Sequence, residues 1–488
     1  MDFNPSFAPV FPVLTDSLMT MSSPSLMDLD GDGAEDIVFG TGFDRVRPVK
    51  SGFAFFPEPE ISGYVVAVSG KTNRILWRVP NPRDAFTTPR FARLNGDGVL
   101  DVLMGGREGA FSAFSGTDGA LLWRVSPKTV AKTEYPYNFS RPAIIHDANR
   151  DSVPDILVVY GGNDLKPPNT PRDPSFLVLV SGADGAVIKV QVSPDSNEMY
   201  TAPVVYERPD GTEWVIFGTG GETHGGAMYR APVTSLLDGT FAKRIERLVT
   251  PGERKGVIAP ATLVELTGDG ELDIVISAFD GRLVAVDGAT GKVLWEQRHD
   301  GEESYHPAAV VRLADGKLGL FVSRGQGAFP RYVATTHRLF DAATGAVLYE
   351  YRDTFYPGGA PLAVDLTGDG IDEPVFFSQR FPSAEGGRVY ILDIGSKKLI
   401  VHDVAMTFGT TPVIADPRKT GTLELIGLAW KMKPNPMAPP GWRDLETYLL
   451  RMDLSAKTPA FISWGAYMGT ATDGQYHPPA PASTNEHR

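Results

Sequence analysis

Short apolar segments recur along the chain, and each of them begins just after a proline. Runs such as SLM, AIIH, ATLV and LAV follow these prolines at intervals of about 47 to 65 residues. A proline is tolerated at the first residue of a strand, where its missing N–H removes little ladder hydrogen bonding. The pattern therefore predicts strand starts after Pro24, Pro89, Pro142, Pro203, Pro260, Pro307, Pro361 and Pro412.

The order of features after each proline is repeated as well. The first apolar run leads into an acidic or turn-rich loop, and a second apolar strand follows, as at 36–40, 101–106, 155–161 and 273–279. After a variable insertion come a third strand, a glycine turn and a fourth strand, which ends in tryptophan at 64–77, 111–123 and 283–295. Four short strands with small residues at the turns are typical of a propeller blade.

These repeats predict an all-β fold: one eight-bladed β-propeller of four-stranded blades. A single sheet of this kind cannot bury both faces, whereas a ring of neighbouring sheets supplies a core. Two unrelated β-sandwiches are the alternative, and the aligned prolines and turns disfavour it. We expect the propeller to span 20–469, with an N-terminal lead at 1–19, a poorly ordered tail at 470–488 and a ring-closing outer strand at 460–469.

Composition narrows the classes of function. The formal net charge of -13 argues against a nucleic-acid binder, and the lack of cysteine excludes disulfides, zinc–thiolate sites and thiol catalysis. No apolar stretch approaches the length of a transmembrane helix. The first residues lack the basic and apolar regions of a signal peptide, so we expect either a cytoplasmic chain or a mature or trimmed form, and favour the second.

The acidic loops carry the clearest chemistry. Asp28, Asp30, Asp32 and Asp36 stand at positions 1, 3, 5 and 9 of the first loop, and calcium prefers such clusters of hard oxygen ligands. Position 12 is Phe39, where an EF-hand has a bidentate Glu, so the loop joins two strands. The same spacing recurs in the third blade at Asp147, Asn149, Asp151 and Asp155.

Two further loops have weaker ligand sets. They are Glu265, Thr267, Asp269 and Asp273 in the fifth blade, and Asp365, Thr367, Asp369 and Glu373 in the seventh. The blade 2 loop has Arg93 at position 1, and the blade 8 loop that begins at Asp416 has Arg418 at position 3, so we expect no metal in either. The alternative reading is that Asp-Gly pairs are simply favourable hairpin turns. Repetition in register favours calcium.

The segment DLDGDGAEDIVFG and its partners resemble the FG-GAP or VCBS-type repeat, as in the integrin α-subunit propeller, over about 450 residues. The ends of the fourth strands, as in TGKVLW, also resemble quinoprotein-like propeller repeats. Both resemblances imply a propeller, and the quinoprotein resemblance implies eight blades. The FG-GAP resemblance implies calcium at the four loops and an exported protein in an extracellular, periplasmic or cell-surface location, because weak calcium sites fill where calcium is abundant.

Catalytic motifs are scarce. The chain has no paired metal-binding histidines, nucleophile elbow or phosphate-binding loop, although His224 lies in the glycine-rich stretch FGTGGETHGG. Two enzyme readings stay open: a quinone-dependent dehydrogenase, in a chain that has no cysteine for a vicinal disulfide, and a calcium-dependent polysaccharide lyase. Either would need a deep central pocket with a perturbed acid or base, or a bound quinone.

The insertions between the second and third strands favour a non-catalytic role. All of them fall on the face opposite the acidic loops, and function tends to lie on loops held by a rigid scaffold. Their aromatic residues are typical of interfaces: Phe43, Phe53, Phe55, Phe56, Phe329, Tyr332, Phe381 and Trp442. We expect a binding or scaffold module for a protein or glycan partner, with contacts through 41–62, 161–175, 218–226, 324–335, 379–387 and 431–445.

Overall fold

The fold was established from a computed structural model of the chain. It describes residues 7–14, 21–42, 46–49, 52–55, 63–81, 84–107, 110–131, 137–163, 166–167, 169–252, 254–380, 386–434 and 443–479. Within them, eight antiparallel sheets each contain four strands in the order of a propeller blade, which confirms the predicted fold class. The predicted prolines all stand one or two residues before the innermost strand of their blade.

The first four blades follow the chain from the inner to the outer strand. Blade 1 comprises Ser25–Met27, Asp36–Thr41, Gly63–Val68 and Ile75–Asn81, and blade 2 comprises Arg90–Ala92, Asp101–Met104, Phe111–Phe114 and Leu121–Val125. Blade 3 comprises Ala143–Ile145, Asp155–Gly161, Phe176–Val180 and Val187–Val192, and blade 4 comprises Val204–Glu207, Glu213–Gly218, Met228–Pro232 and Glu246–Val249. An insertion hairpin of blade 1 pairs Val46–Val49 with Gly52–Phe55.

The second half repeats this order. Blade 5 comprises Thr262–Val264, Asp273–Ser277, Arg282–Val286 and Val293–Arg298, and blade 6 comprises Ala309–Arg312, Leu318–Ala328, Arg331–Asp341 and Val347–Asp353. Blade 7 comprises Leu362–Val364, Glu373–Gln379, Gly387–Asp393 and Lys398–Val404, and blade 8 comprises Val413–Ala415, Thr422–Pro434, Arg443–Lys457 and Phe7–Leu14.

Short elements lie between these strands. Asn138–Phe139, Glu302–Glu303 and Tyr356–Pro357 pair with the second strands of blades 3, 6 and 7. The helices are Pro127–Ala131, Val233–Asp238, Phe241–Arg244 and the 3₁₀ turn Ala314–Gly316. None of the helices in the described part of the chain has the length and apolar character needed to cross a membrane.

The N-terminal segment closes the ring, which corrects the prediction for 460–469. Phe7–Leu14 pairs antiparallel with Arg443–Lys457 and forms the outer strand of blade 8. Residues 7–14 thus belong to the propeller, although we expected a lead at 1–19; residues 1–6 and 15–19 lie outside the described residues. The strand contains Pro9 and Pro12, and register shifts occur next to both. Prolines are tolerated on an edge strand. Because they interrupt the run of strand-forming residues, the sequence pattern did not predict a strand here.

The C-terminal segment, defined here as residues 460–479, lies across the centre of the ring. Trp464 and Ala363 exchange two backbone hydrogen bonds of 2.9 and 3.0 Å, and the Leu263 N–H donates to the Gly474 carbonyl at 2.8 Å. The Ile414 N–H donates to Gly465 at 2.8 Å. The segment thereby satisfies inner-strand backbone groups of blades 5, 7 and 8. Residues 470–479 are held in this way, whereas we expected a poorly ordered tail; residues 480–488 lie outside the described residues.

The fourth-strand tryptophans join neighbouring blades. The indole N–H of Trp77 donates to the Gly116 carbonyl of blade 2 at 2.9 Å, and that of Trp123 donates to Gly182 of blade 3 at 2.7 Å. Trp295 makes the same link from blade 5 to Ala342 of blade 6 at 3.0 Å. A buried indole usually finds such an acceptor. Packing between blades therefore explains the motif that resembles quinoprotein repeats.

Candidate functional site

Candidate functional residues lie on two opposite faces of the propeller. We call the face formed by the loops between first and second strands the acid-loop face. Because the strands are antiparallel, the connections between second and third strands and between successive blades lie on the other face, called the insertion face.

The first acidic loop gathers three carboxylates. Oxygen atoms of Asp28, Asp30 and Asp36 all lie within 4.8 Å of one another. The Asp28 carboxylate accepts the N–H groups of Gly31 at 2.8 Å and Gly33 at 3.0 Å, which wraps the loop around it. The fourth predicted ligand, Asp32, lies 3.7 Å from the ammonium group of Lys71 and is outside this group.

The acid at position 9 of the loops holds the fold together. Asp36 is fully buried and accepts the Leu29 N–H at 2.8 Å and the Gly70 N–H at 3.1 Å. Burial raises the pKa of the Asp36 carboxyl despite these bonds. Equivalent N–H groups reach Asp155 from Ala148 and Gly182 at 2.8 and 3.3 Å. These carboxylates therefore connect the loop between the first and second strands of a blade to the last turn of the same blade, between its third and fourth strands.

The glycine in that last turn also contacts the preceding blade. The Gly70 carbonyl accepts a hydrogen bond from the guanidinium of Arg451 in blade 8, as the carbonyls of Gly116 and Gly182 do from tryptophans. A Cβ atom on Gly70 would lie 1.9 Å from the Glu35 carbonyl oxygen. Only glycine fits there, so acid, glycine and preceding blade form one structural unit.

The other predicted ligand sets are more dispersed. In the part of the chain that the structure describes, the first loop alone brings three acidic side chains within 4.8 Å. The Asn149 side chain donates to Asp151 at 2.8 Å, and Asp147 accepts the Ser152 N–H at 2.7 Å. The Thr267 hydroxyl lies 3.4 Å from Glu265, and Asp269 accepts the Glu271 N–H at 2.8 Å.

Asp273 and Glu373 repeat the buried role of Asp36. Asp273 accepts the N–H groups of Leu266 at 2.7 Å and Gly288 at 2.9 Å, and burial raises the pKa of its carboxyl. Burial raises the pKa of Glu373 to about 8. In the same loop, the Thr367 hydroxyl lies 3.4 Å from Glu373, Asp365 accepts the N–H groups of Gly368 and Gly370 at 2.6 and 2.9 Å, and Asp369 accepts that of Ile371 at 2.8 Å.

On the insertion face, acids and tyrosines from several blades meet. We call this group the acid–tyrosine cluster: Glu222, Lys255, Glu303, Tyr305, Tyr332 and Tyr356. Lys255 forms an ion pair with Glu303 and donates to the Glu222 carbonyl at 2.8 Å. The Tyr332 hydroxyl donates to the same Glu303 carboxylate at 2.6 Å, and the Phe329 N–H does so at 2.9 Å.

Glu222 is the other acid of this cluster. The residue as a whole is half-buried, but burial of its carboxyl, together with the charge of Glu303, raises its pKa against a hydrogen bond from its own backbone N–H and the attraction of Arg172 and Lys255. Burial also raises the pKa of Tyr305 and Tyr332 well above its usual range. The tyrosine hydroxyls therefore stay protonated at neutral pH and act as hydrogen-bond donors.

A second buried acid lies beside the cluster. Glu198 is 1% exposed, receives the Tyr200 hydroxyl at 3.0 Å and lies 3.4 Å from the Arg172 guanidinium. Burial outweighs both partners and raises the pKa of Glu198 to about 7. His224, which the sequence singled out, lies 3.7 Å from Glu198 and contacts the Thr170 carbonyl; burial lowers its pKa.

Sequence reasoning placed partner contacts on this face but missed the cluster. Its members come from three connections between blades and from two insertions, so no spacing along the chain links them.

The predicted insertion 324–335 is a paired extension of the second and third strands of blade 6. Phe43, Phe56, Phe381 and Trp442 lie outside the described residues, and the side chains of Phe53 and Phe55 are likewise not described.

Comparisons with known proteins support the propeller. A family model described as the FAM234A/B beta-propeller matches residues 56–239. Over that part, the chain is similar to FAM234 propellers. Protein FAM234B of Mus musculus is 26% identical over 206 residues, which cover 41% of this chain. The match spans only 30% of the length of that relative.

Solved structures share the architecture along most of the chain. A europium-containing methanol dehydrogenase superposes with a TM-score of 0.59 at 11% identity, covering 91% of this chain and 93% of its own. The quinohemoprotein alcohol dehydrogenase from Comamonas testosteroni gives 0.55 at 10% identity, covering 91% and 75%. At such identities the likeness shows the fold alone. The FG-GAP type of repeat stays a prediction.

Proposed function

We propose that this propeller is a non-catalytic binding module that recognises a protein or glycan partner through the acid–tyrosine cluster on the insertion face. The observation that carries the proposal is the Glu303 carboxylate, on which the Tyr332 hydroxyl and the Lys255 ammonium group from two different blades converge. Aromatic rings with fixed hydroxyls supply contact area at low entropic cost. Carboxylates and tyrosine hydroxyls can hydrogen-bond to sugar hydroxyls or to basic side chains.

The architecture supports recognition at a surface. The cluster is built from connections and insertions of the insertion face, and loops held by a rigid scaffold commonly carry recognition. Glu303 is pinned by Lys255, Tyr332 and the Phe329 N–H, so the cluster is ordered before a partner arrives. A site organised in advance loses less entropy on binding.

Partner capture from the native source and a glycan array test this proposal. Glu222→Gln and Tyr332→Phe should each weaken binding about tenfold or more, in line with the loss of a central contact. Asp118→Asn, an exposed position in a turn of the acid-loop face, is the matched control and should bind normally. Unchanged binding in both cluster variants, with a loss in Asp118→Asn, would assign recognition to the opposite face.

We also propose that the first acidic loop binds calcium, and that the protein works in an extracellular, periplasmic or cell-surface compartment. The convergence of Asp28, Asp30 and Asp36 supports the site, since calcium takes several carboxylate oxygens. Asp28 and Asp30 would supply ligands from the exposed part of the loop, and buried Asp36 from beneath it. The compartment follows from the calcium concentration that weak sites require.

Melting with and without a chelator tests the calcium site. Calcium that binds only the folded state should raise the melting temperature, and Asp30→Ala should remove most of that increase. Asp97→Ala in the blade 2 loop is the matched control, because the Arg93 guanidinium there donates to the Gly98 carbonyl at 2.8 Å. Equal melting temperatures in calcium and chelator would rule the site out.

Acid–base catalysis on a polysaccharide is a second candidate. It is favoured by one observation, the Glu198 carboxyl whose pKa is raised to about 7 beside His224 and Tyr200. Turnover of uronate-containing polysaccharides by the wild type, lost in Glu198→Gln, would support this reading over the binding module.

A further inference from the structure

Two arginines face the C-terminal segment inside the ring. Arg90 begins the inner strand of blade 2, and Arg141 stands two residues before the inner strand of blade 3. Arg90 reaches the Ala471 and Thr472 carbonyls at 2.7 and 3.1 Å, and Arg141 lies 3.8 Å from the Met468 sulfur. Both side chains therefore project from the inner strands into the channel.

The hydrogen bonding of these arginines is incomplete. Arg141 is only 5% exposed, and its Nε and Nη2 atoms have no hydrogen-bond partner. The Nε atom of Arg90 is also buried without one. Asp473 attracts both side chains, but its two oxygens lie 3.0 Å from the Gln475 N–H and 2.8 Å from the His477 ring nitrogen.

Another buried arginine has backbone acceptors. Arg324 is fully buried, and two of its nitrogens donate to the backbone carbonyls of Gly281 and Arg282, while its Nε has no hydrogen-bond partner. Arg141 has no oxygen acceptor of this kind, and burial together with the positive charge of Arg90 lowers its pKa to about 9. A buried cation without a paired acceptor is strongly unfavourable, so an additional acceptor is required.

We propose that a small oxyanion of the phosphate, sulfate or carboxylate class binds in the channel between Arg141 and Arg90, beneath residues 467–473. Three free guanidinium nitrogens offer donors to its oxygens, and the planar guanidinium suits a bidentate oxyanion. The bound anion would neutralise the two like charges. It would also tie the C-terminal segment to blades 2 and 3, a role independent of the partner-binding proposal.

Thermal melting in phosphate tests this site, with chloride at equal ionic strength as the reference. Phosphate well above its dissociation constant should raise the melting temperature of the wild type by an amount on the order of 2–4 °C. Arg141→Gln should abolish that increase. Arg324→Gln is the control: it should melt lower in both buffers and keep the phosphate increment.

A second measurement uses only the wild type, so it does not depend on folding of the variants. A crystal soaked in selenate should show anomalous density beside the Arg141 guanidinium. Water alone at that position would overturn the proposal, and so would equal stabilisation by chloride and phosphate. An increment that persists in Arg141→Gln would place the anion elsewhere.

Discussion

The two faces of this propeller bury carboxylates in different ways. On the acid-loop face, Asp36 receives N–H groups from its own loop and from the last turn of its own blade. On the insertion face, Glu303 receives Lys255 from the connection between blades 4 and 5, and Tyr332 and the Phe329 N–H from the insertion of blade 6. The first arrangement recurs from blade to blade, and the second occurs where several blades converge.

The first kind of carboxylate site is encoded within each repeat, whereas the second forms only when the ring closes. A carboxylate held by backbone N–H groups needs only its own local sequence, so the unit can be copied along the chain. A carboxylate held by distant side chains needs the assembled ring. The acid-loop face therefore stabilises the blades, whereas the insertion face is free to differ in its chemistry.

The largest expected effect comes from Gly70→Ala on the acid-loop face. The added Cβ would lie 1.9 Å from the Glu35 carbonyl oxygen, so the turn must shift away from Asp36 and Arg451. We expect a loss of about 3–5 kcal/mol in the free energy of unfolding, measured in denaturant. Gly268→Ala is the control, because its φ of +81° is strained for alanine but nothing lies within 4 Å, and it should cost about 1–2 kcal/mol.

Asp36→Ala should cause the next largest loss in the free energy of unfolding. It leaves the buried N–H groups of Leu29 and Gly70 without their acceptor, at about 2–4 kcal/mol in total. The matched change Asp30→Ala removes an exposed acid of the same loop and should cost less than about 1 kcal/mol. Both are measured in chelator, so metal binding does not contribute. Equal losses would show that position 9 has no special structural role.

The sequence pattern predicted the blades and their acidic loops, but not the outer strand of blade 8 or the contacts of the C-terminal segment. Prolines, second strands and terminal tryptophans are local signals, so the blades could be found from them. Phe7–Leu14 could not, because it pairs with residues at the other end of the chain and contains two prolines. The contacts of the C-terminal segment and Arg141 likewise depend on blades that are distant in sequence, and their polar atoms meet only after ring closure.

A pH titration sharpens the comparison on the insertion face. Burial raises the pKa of Glu198 from its ordinary 4.5 to about 7, so the folded state binds this proton more tightly than the unfolded chain. The stabilisation is complete below about pH 4.5 and is lost as the pH rises through about 7, by up to about 3 kcal/mol. Glu198→Gln should flatten this part of the stability profile. A wild-type profile that rises across this range would contradict the assignment.

Tyr332→Phe should give the smallest effect and tests whether the cluster is organised in advance. The change removes the hydroxyl that donates to Glu303 at 2.6 Å, while Lys255 and the Phe329 N–H still hold that carboxylate. A hydrogen bond to a charged acceptor contributes about 1.5–3 kcal/mol, and the remaining partners should limit the loss to about 1–2 kcal/mol. Tyr349→Phe, in the outer strand of the same blade, is the control, and it should change the free energy of unfolding by less than about 0.5 kcal/mol. If the two variants are equally stable, Tyr332 is not anchored, and the insertion face is organised only when a partner binds.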